Sequence, residues 1–443
     1  MLPNNSTQKV CRMSTCEPKD WDIPVSYTAQ NTFNPIRNVV ETMHIEENPQ
    51  LEVIRLTVGD PTVFGNLPPS EECFRALCDA IKSGKNNGYK PAYGCKEARN
   101  AVAKYSSTPE YIVDAEDFVL ASGCSGAIEI AMNALVDRGD NILIPRPGFS
   151  LYKCICGSRG IEARSYKLFP ENGWEVDLDD MASLIDERTK LIVVVNPSNP
   201  CGSVYKREHL EEILNIAEKY RVPVLCDEVY AHVTFGKEPF HSMGSLTKNV
   251  PVLVVGGIAK RFLVPGWRIG WIVIHDRNDS FGFKIRQALR RLCQVIVGPC
   301  SVIQAALPTI LSDCPTQFFE KTLNLMKKTS NIFYESLSLL PELYPVRSQG
   351  AMYMLIGIKV DRLHSVKDDV DFTQKLMAEQ SVFVLPATCF QCPNFFRVVL
   401  TCPVEVARVA CERIAQFCRD HRKNALTNGH MEHENGIYHV NGY

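Results

Sequence analysis

A lysine, an aspartate, a tyrosine, two asparagines and an arginine follow short apolar runs in the middle of this chain, and their side-chain types suit one kind of chemistry. Asn196 and Asn199, in NPSNPCG, follow Leu191 to Val195, while Asp227, Glu228 and then Tyr230 follow Pro223 to Cys226. Gly256-Gly257, Lys260 and, eight residues on, Arg268 follow Val252 to Val255. Ser122-Gly123-Cys124-Ser125-Gly126 follows Phe118 to Ala121 and feeds a helical pattern. Each residue alone has a plainer reading: a Gly/Ser turn caps a helix, Asn beside Pro makes a turn, a Tyr packs, a lone Lys or Arg is a solvated charge. At the ends of successive strands they would converge on one rim, where open α/β sheets bind ligands. A helix N-terminus with an arginine suits a phosphate. A buried carboxylate keeps a heteroaromatic nitrogen protonated, and a neutral lysine amine forms a Schiff base with an aldehyde. Pyridoxal 5'-phosphate has all three groups and acts as an electron sink.

The elements that must position these residues are legible in the apolar pattern. Phe118 to Ala121, Asn141 to Ile144, Leu191 to Val195, Pro223 to Cys226, Val252 to Val255 and Trp271 to Ile274 are short and do not alternate. That texture predicts strands buried on both faces of a parallel sheet. Helical spacing at Ala127, Ile130, Ala131 and Ala134, and at Leu210, Ile213, Leu214 and Ala217, predicts crossover helices. From about Ser312 the pattern changes to a long helix, Thr316 through Leu340, and short strands at Met352 to Ile356, Phe383 to Leu385 and Val398 to Thr401. The expected organisation is a flexible leader at 1–30, a small-domain segment at 31–85, a large cofactor-binding domain at 86–311, a small α+β domain at 312–420 and a disordered tail at 421–443.

Composition narrows the function. With 48 basic and 50 acidic residues the formal charge is −2, which gives no support to nucleic-acid binding. Hydrophobic content of 45% and charged content of 22% suit a globular chain, and no apolar run is long enough for a membrane span. No apolar core of a secretory signal stands near the N-terminus, so the 18 cysteines are expected as reduced thiols in the cytoplasm. Cys389 and Cys392 form a lone CxxC, read as packing thiols, and no metal is expected. His430, His433 and His439 lie in the tail, and Arg286, Arg290 and Arg291 read as a solvated helix face.

GDPTVFGNLPP, PRPGFSLYK, NPSNPCGSV, GGIAKRFLVPGWRIGW and LPATCFQCPNFFRVVLT, in that order, resemble the class I pyridoxal-phosphate aminotransferase family from about Asn34 to the end of the small domain. The resemblance implies a fold-type I α/β architecture with a mostly parallel seven-stranded sheet between helices. It implies Lys260 as the Schiff-base lysine and proton carrier, Asp227 on the pyridinium nitrogen, and Tyr230 and Asn199 on the cofactor's phenolic oxygen. Phe149 would stack on the ring, with Cys124, Ser125 and Arg268 on the phosphate. Arg397 would clamp the substrate carboxylate, Gly59 would touch the substrate from the other side, and Tyr89 would reach the phosphate of a neighbouring subunit in a homodimer. Two positions depart from many relatives: Gly257 stands where a hydroxyl residue contacts the phosphate, and Ala259 replaces a serine. Two of the motifs, GDPTVFGNLPP and PRPGFSLYK, point to members acting on tyrosine. The implied reaction is then a ping-pong transfer from L-tyrosine to 2-oxoglutarate, yielding 4-hydroxyphenylpyruvate and L-glutamate. Alternatives are an aminotransferase preferring alanine or kynurenine, a cysteine-conjugate β-lyase, or the sensing half of a transcriptional regulator. Thirty polar N-terminal residues are too few for the DNA-binding domain that the last would need.

Overall fold

A computed structural model describes residues 21, 23–42, 46–109 and 111–423. Most of the expected leader, and the expected tail from 424 on with its three histidines, lie outside the described residues. Within the leader, Tyr27–Gln30 forms one helical turn capped by Ser26, and the Arg138 guanidinium lies 4.6 Å from the Tyr27 ring centre.

The strands in chain order are β1 (Ile54–Arg55), β2 (Phe118–Ala121), β3 (Asn141–Arg146), β4 (Glu162–Phe169), β5 (Glu175–Val176), β6 (Thr189–Val195), β7 (Val224–Asp227), β8 (Val252–Gly257), β9 (Gly270–His275), β10 (Leu343–Pro345), β11 (Tyr353–Ile358), β12 (Val382–Phe383), β13 (Leu385–Pro386) and β14 (Phe395–Val399). The central sheet runs β2-β9-β8-β7-β6-β3-β4-β5. β9 is antiparallel to both its neighbours, and the two-residue β5 adds an antiparallel edge to the seven strands expected. Alternate residues of one strand bury into opposite layers: Ile192 and Val194 face the core shared with Leu210 and Ile213, while Leu191, Val193 and Val195 face the core shared with Ile128 and Ile155. That two-sided burial is why these strands read as continuous apolar runs. β4 escapes that criterion because Glu162, Arg164 and Lys167 interrupt it, and Arg164 is bridged to Glu162 at 2.9 Å and Asp186 at 2.8 Å.

The second half of the chain builds an antiparallel sheet, β10-β11-β14-β13, and a parallel pair, β1-β12. The helix Thr316–Ser338 ends two residues short of the expected Leu340 and bridges the two halves, with Phe319 against the large-sheet core and Met326, Phe333 and Leu337 in the other core. The single strand expected at Phe383 to Leu385 divides: Val382 and Phe383 pair with β1, whereas Leu385 and Pro386 pair with β14. The early segment also divides, for Ile54 and Leu56 join the second core and Cys73, Ala76 and Ala80 join the first.

Asp369, fully buried at the start of the helix Asp369–Gln380, ties that helix to the segment leading into β14. Its carboxylate accepts from the Thr388 amide at 2.7 Å, the Thr388 hydroxyl at 2.8 Å and the Asn394 amide at 3.1 Å. Removing the acceptor breaks three hydrogen bonds to a buried carboxylate. Asp369→Ala should therefore lower the unfolding free energy by about 3 kcal/mol, read as a shift of the urea midpoint.

Candidate active site

The carboxyl ends of β2, β6, β7 and β8 lie on one edge of the sheet, since β3, β6, β7 and β8 are mutually parallel and β2 and β8 both oppose β9. The chain therefore leaves the sheet at one rim beside Ser122, Asn196, Glu228 and the segment leading to Lys260. Asp227 closes β7 and is almost wholly buried. One of its oxygens accepts from the Tyr152 hydroxyl at 2.6 Å; the other accepts from the Val229 amide at 3.1 Å and faces the Cys124 thiol at 3.7 Å. Burial pushes this carboxyl above the usual aspartate range, and the Tyr152 hydroxyl is the largest influence pulling it back. The same burial, together with the Asp227 charge, raises the Cys124 thiol and the Tyr152 phenol well above their ordinary values.

The helix Gly123–Leu135 begins immediately after β2, and its N-cap Ser122 makes no side-chain cap, so its first amides lack a side-chain acceptor there. Arg268 lies against this terminus: a Cβ at Gly123 would sit 2.5 Å from its Nη2, and that nitrogen approaches the Ser122 carbonyl at 3.4 Å. Arg268 adopts φ of 53° after the turn Pro265–Trp267, and both it and Ser125 are exposed. The structure leaves little room for a side chain at 257. A Cβ there would lie 2.8 Å from the Ile269 carbonyl oxygen, and a Cβ at Gly270 would lie 2.5 Å from the Cys124 nitrogen. Gly257 lets β8 lie close to the start of β9, and Gly270 lets β9 approach the helix terminus.

Lys260 donates from Nζ to the Gly59 carbonyl at 2.6 Å and stands 5.9 Å from the Tyr230 ring centre. The Tyr230 hydroxyl is paired with that of Tyr353 at 2.7 Å, and burial raises the Tyr230 phenol well above its ordinary value. Arg397, on β14, is 2% exposed. It donates to the Asn199 side-chain oxygen at 3.0 Å and to the Thr57 carbonyl at 2.7 Å, leaving its Nε without a partner. Its guanidinium lies 4.0 Å from the centre of the Tyr353 ring and 4.9 Å from that of Phe390. A Cβ on Gly59 would fall 2.2 Å from the Tyr353 hydroxyl, so only glycine allows this approach.

Phe149 meets Tyr152 edge-on with ring centres 6.0 Å apart and lines a cavity of about 440 Å³ with Phe33, Lys153 and Gln391. Tyr89 is 91% exposed in the single chain and is not brought to the other residues by hydrogen bond or ring contact. Sequence reasoning missed Tyr152, Tyr353, Thr57 and Phe390. Tyr152 lies three residues beyond Phe149 in a motif already singled out; nothing local marks Tyr353, whose partner is 123 positions away. The expected solvated face at Arg286, Arg290 and Arg291 is corrected in part. Arg286 is ion-paired with Asp117, and Arg290 with Glu116 at 2.8 Å, because this helix packs beside the turn that opens β2. Among the described residues no group of His, Cys, Asp and Glu is arranged to hold a metal, and no helix is long and apolar enough to cross a membrane.

A buried carboxylate, a helix terminus joined by an arginine, a lysine amine and a second arginine with an unpaired nitrogen fit a phosphorylated, cationic-ring aldehyde and a carboxylate substrate. Comparison with known proteins agrees. The model of the family described as aminotransferase class I and II matches residues 52–414, and the chain belongs to this family, whose members depend on pyridoxal phosphate. Mouse tyrosine aminotransferase is 50% identical over 401 residues, 90% of this chain and 88% of its own length. The enzyme of that name from Dictyostelium discoideum is 45% identical over 91% of this chain and 98% of its own. Among solved structures, tyrosine aminotransferase from Leishmania infantum superposes with a TM-score of 0.87 at 34% identity, covering 90% of this chain and 99% of that one. Alanine aminotransferase from Pyrococcus furiosus gives 0.84 at 30% identity over 90% and 100%.

Two measurements test the electrostatics of the β7 terminus. Tyr152→Phe removes the main hydrogen bond that favours the charged Asp227, and should weaken pyridoxal phosphate binding about tenfold in equilibrium dialysis. Glu228, the next residue, is buried and raised to about 7 from 4.5. A carboxyl whose folded value exceeds its unfolded one contributes stability that is complete below the unfolded value and lost as pH rises through the folded one. Glu228→Gln should therefore match the parent at pH 4 and exceed it by on the order of 3 kcal/mol at pH 8, read by urea unfolding at both.

Proposed function

We propose that the chain transfers the amino group of L-tyrosine to 2-oxoglutarate, giving 4-hydroxyphenylpyruvate and L-glutamate, with pyridoxal 5'-phosphate as resident cofactor. The observation that carries this reading is the pairing of Lys260, held at the Gly59 carbonyl, with a buried Arg397 whose Nε has no partner, both within one cluster of Tyr230, Tyr353 and Asn199. Half-identity to the mouse enzyme over nine-tenths of the chain supports tyrosine as the donor.

When bound, the cofactor supplies an aldehyde carbon and a cationic ring that draws electrons from the substrate α-carbon. The amides of Cys124 and Ser125, the Ser125 hydroxyl and Arg268 would hold its phosphate, with Phe149 against its ring. Asp227 would hold the ring nitrogen protonated, and a cation there would offset the burial that raises its carboxyl. Tyr230 and Asn199 would hydrogen-bond the phenolic oxygen. Arg397 receives the substrate carboxylate in a two-pronged contact, and the packing of its guanidinium between Tyr353 and Phe390 fixes the plane of approach. That contact would turn the α-hydrogen toward Lys260, whose Nζ would take up and hold the proton. Gly59 bounds the substrate from the other side.

The assembly we propose is a homodimer in the cytoplasm. Tyr89, 91% exposed, and the run Val295, Ile296 and Val297, exposed by 80%, 53% and 51%, are what such an interface would cover, and Tyr89 would then complete the second copy's phosphate site. We divide the chain into a large domain at 86–311, joined by the helix bearing Cys73, Ala76 and Ala80, and a small domain formed by 312–420 with the segment around Ile54 and Leu56.

Purified protein supplied with tyrosine, 2-oxoglutarate and the cofactor should release 4-hydroxyphenylpyruvate, detected by its enol–borate absorbance. Lys260→Ala should abolish that release and the absorbance band of the lysine-bound cofactor, while leaving the thermal unfolding of the cofactor-free protein within a few degrees. Turnover near the parent's rate would show that Lys260 is not the proton carrier.

A further inference from the structure

On the face of the central sheet opposite Tyr152 and Cys124 lies a second cavity of about 420 Å³, between β8, the end of the helix Lys96–Ser106 and the segment after β7. It falls within the size range of small-molecule sites, about 300–1,000 Å³. Two of its lining residues hold buried nitrogens without a partner: Nε of Arg261 and Nδ1 of His275, the latter residue only 4% exposed. Buried polar atoms left unpaired carry a penalty that a polar ligand removes.

The walls are aromatic. Tyr105 meets His232 and Trp271 edge-on at 6.3 Å and 6.1 Å, and His232 meets Phe240 at 5.1 Å. Burial lowers His232 to about 4 and His275 to about 3, so neither ring is charged near neutrality. Arg207 is paired with Glu211 at 3.0 Å. Arg261 is then the lining guanidinium with no carboxylate partner among the described residues; it donates to the Tyr105 hydroxyl at 2.7 Å and lies 4.5 Å from the Phe319 ring centre. The acid in the wall, Glu228, already accepts from Ser242 at 3.1 Å and the Met243 amide at 2.9 Å, and burial keeps it largely uncharged below pH 7. One unpaired cation in an aromatic box matches one negative charge on one ring.

We propose that this cavity is a second binding site, for a single-ring aromatic monocarboxylate, with Arg261 receiving the carboxylate and Tyr105, Phe240 and Trp271 enclosing the ring. No step of the transamination uses these residues, and Arg261 directly follows Lys260 in the chain.

The test uses benzoate and the cofactor-loaded enzyme at pH 6, followed by calorimetry and by tryptophan fluorescence, because Trp271 lines the cavity. Benzoate also suits Arg397, so the intact enzyme should bind two per chain and Arg397→Leu should keep the second with its fluorescence change. Arg261→Gln should weaken that second event by roughly tenfold or more. Ser106→Trp, which fills the cavity from its rim without touching Arg261's charge, should remove the second event from the otherwise intact enzyme and leave the first. The proposal is overturned by a single event that Arg397→Leu abolishes, by a second event that both Arg261→Gln and Ser106→Trp leave unchanged, or by no saturable binding at millimolar benzoate.

Discussion

A carboxylate with almost no access to water, at the end of the seventh strand, is the constraint on which the site depends. Burial disfavours the charged form of Asp227 and raises its carboxyl above the usual aspartate range even with its hydrogen bonds in place. The fold answers with donors from two sides: a phenol from the helix Leu151–Arg159 and an amide from its own turn. The result is a buried carboxylate at the rim, placed for the cationic ring nitrogen that we propose it meets. The neighbouring Glu228 meets the same burial on the opposite face and rests close to neutrality. Two adjacent carboxyls thus face different layers of one sheet and serve different surroundings, as strand alternation requires.

The second constraint is that the site is assembled from two halves that do not share a sheet. Arg397 comes from the middle of the antiparallel sheet, paired across the backbone with Leu355 on one side and Leu385 on the other. Its guanidinium reaches Asn199 of the parallel-sheet half, and the Tyr230–Tyr353 hydroxyl pair makes a second contact between halves. Lys260 reaches back to Gly59 in the early segment. Three bonds of this kind, each between residues more than a hundred positions apart, hold amine, phenol and guanidinium in one cluster. A substrate carboxylate that draws Arg397 away from Asn199 or Thr57 would act on the contact between the halves as well as on the ligand.

Glycine has a narrow part in this. At 59, 257 and 270 any side chain would collide with the Tyr353 hydroxyl, the Ile269 carbonyl or the backbone of the phosphate-side helix. At 257 the space between β8 and β9 leaves little room for a side chain, and the phosphate contacts we propose are those of Arg268 and the helix terminus.

The order of buried strands, the crossover helices and the residues closing β2, β6, β7 and β8 were legible from the chain alone, because burial on two faces leaves unbroken apolar runs and ligand residues cluster where such runs stop. Lys260, Asp227, Asn199 and Arg268 were singled out that way, whereas Arg397, Gly59, Phe149 and Tyr89 came only through resemblance to a family. Strand β4 hid behind its ion-paired charges, and Val382–Pro386 looked like one strand until its two ends joined different partners. Tertiary structure alone decided that Tyr152 supports Asp227, that Tyr353 stands between Tyr230 and Arg397, and that Arg261 faces an aromatic cavity while its neighbour Lys260 faces Gly59. Local pattern records which face of an element is buried; it carries no record of which distant side chain completes a hydrogen bond, because that choice is made by the packing of whole layers.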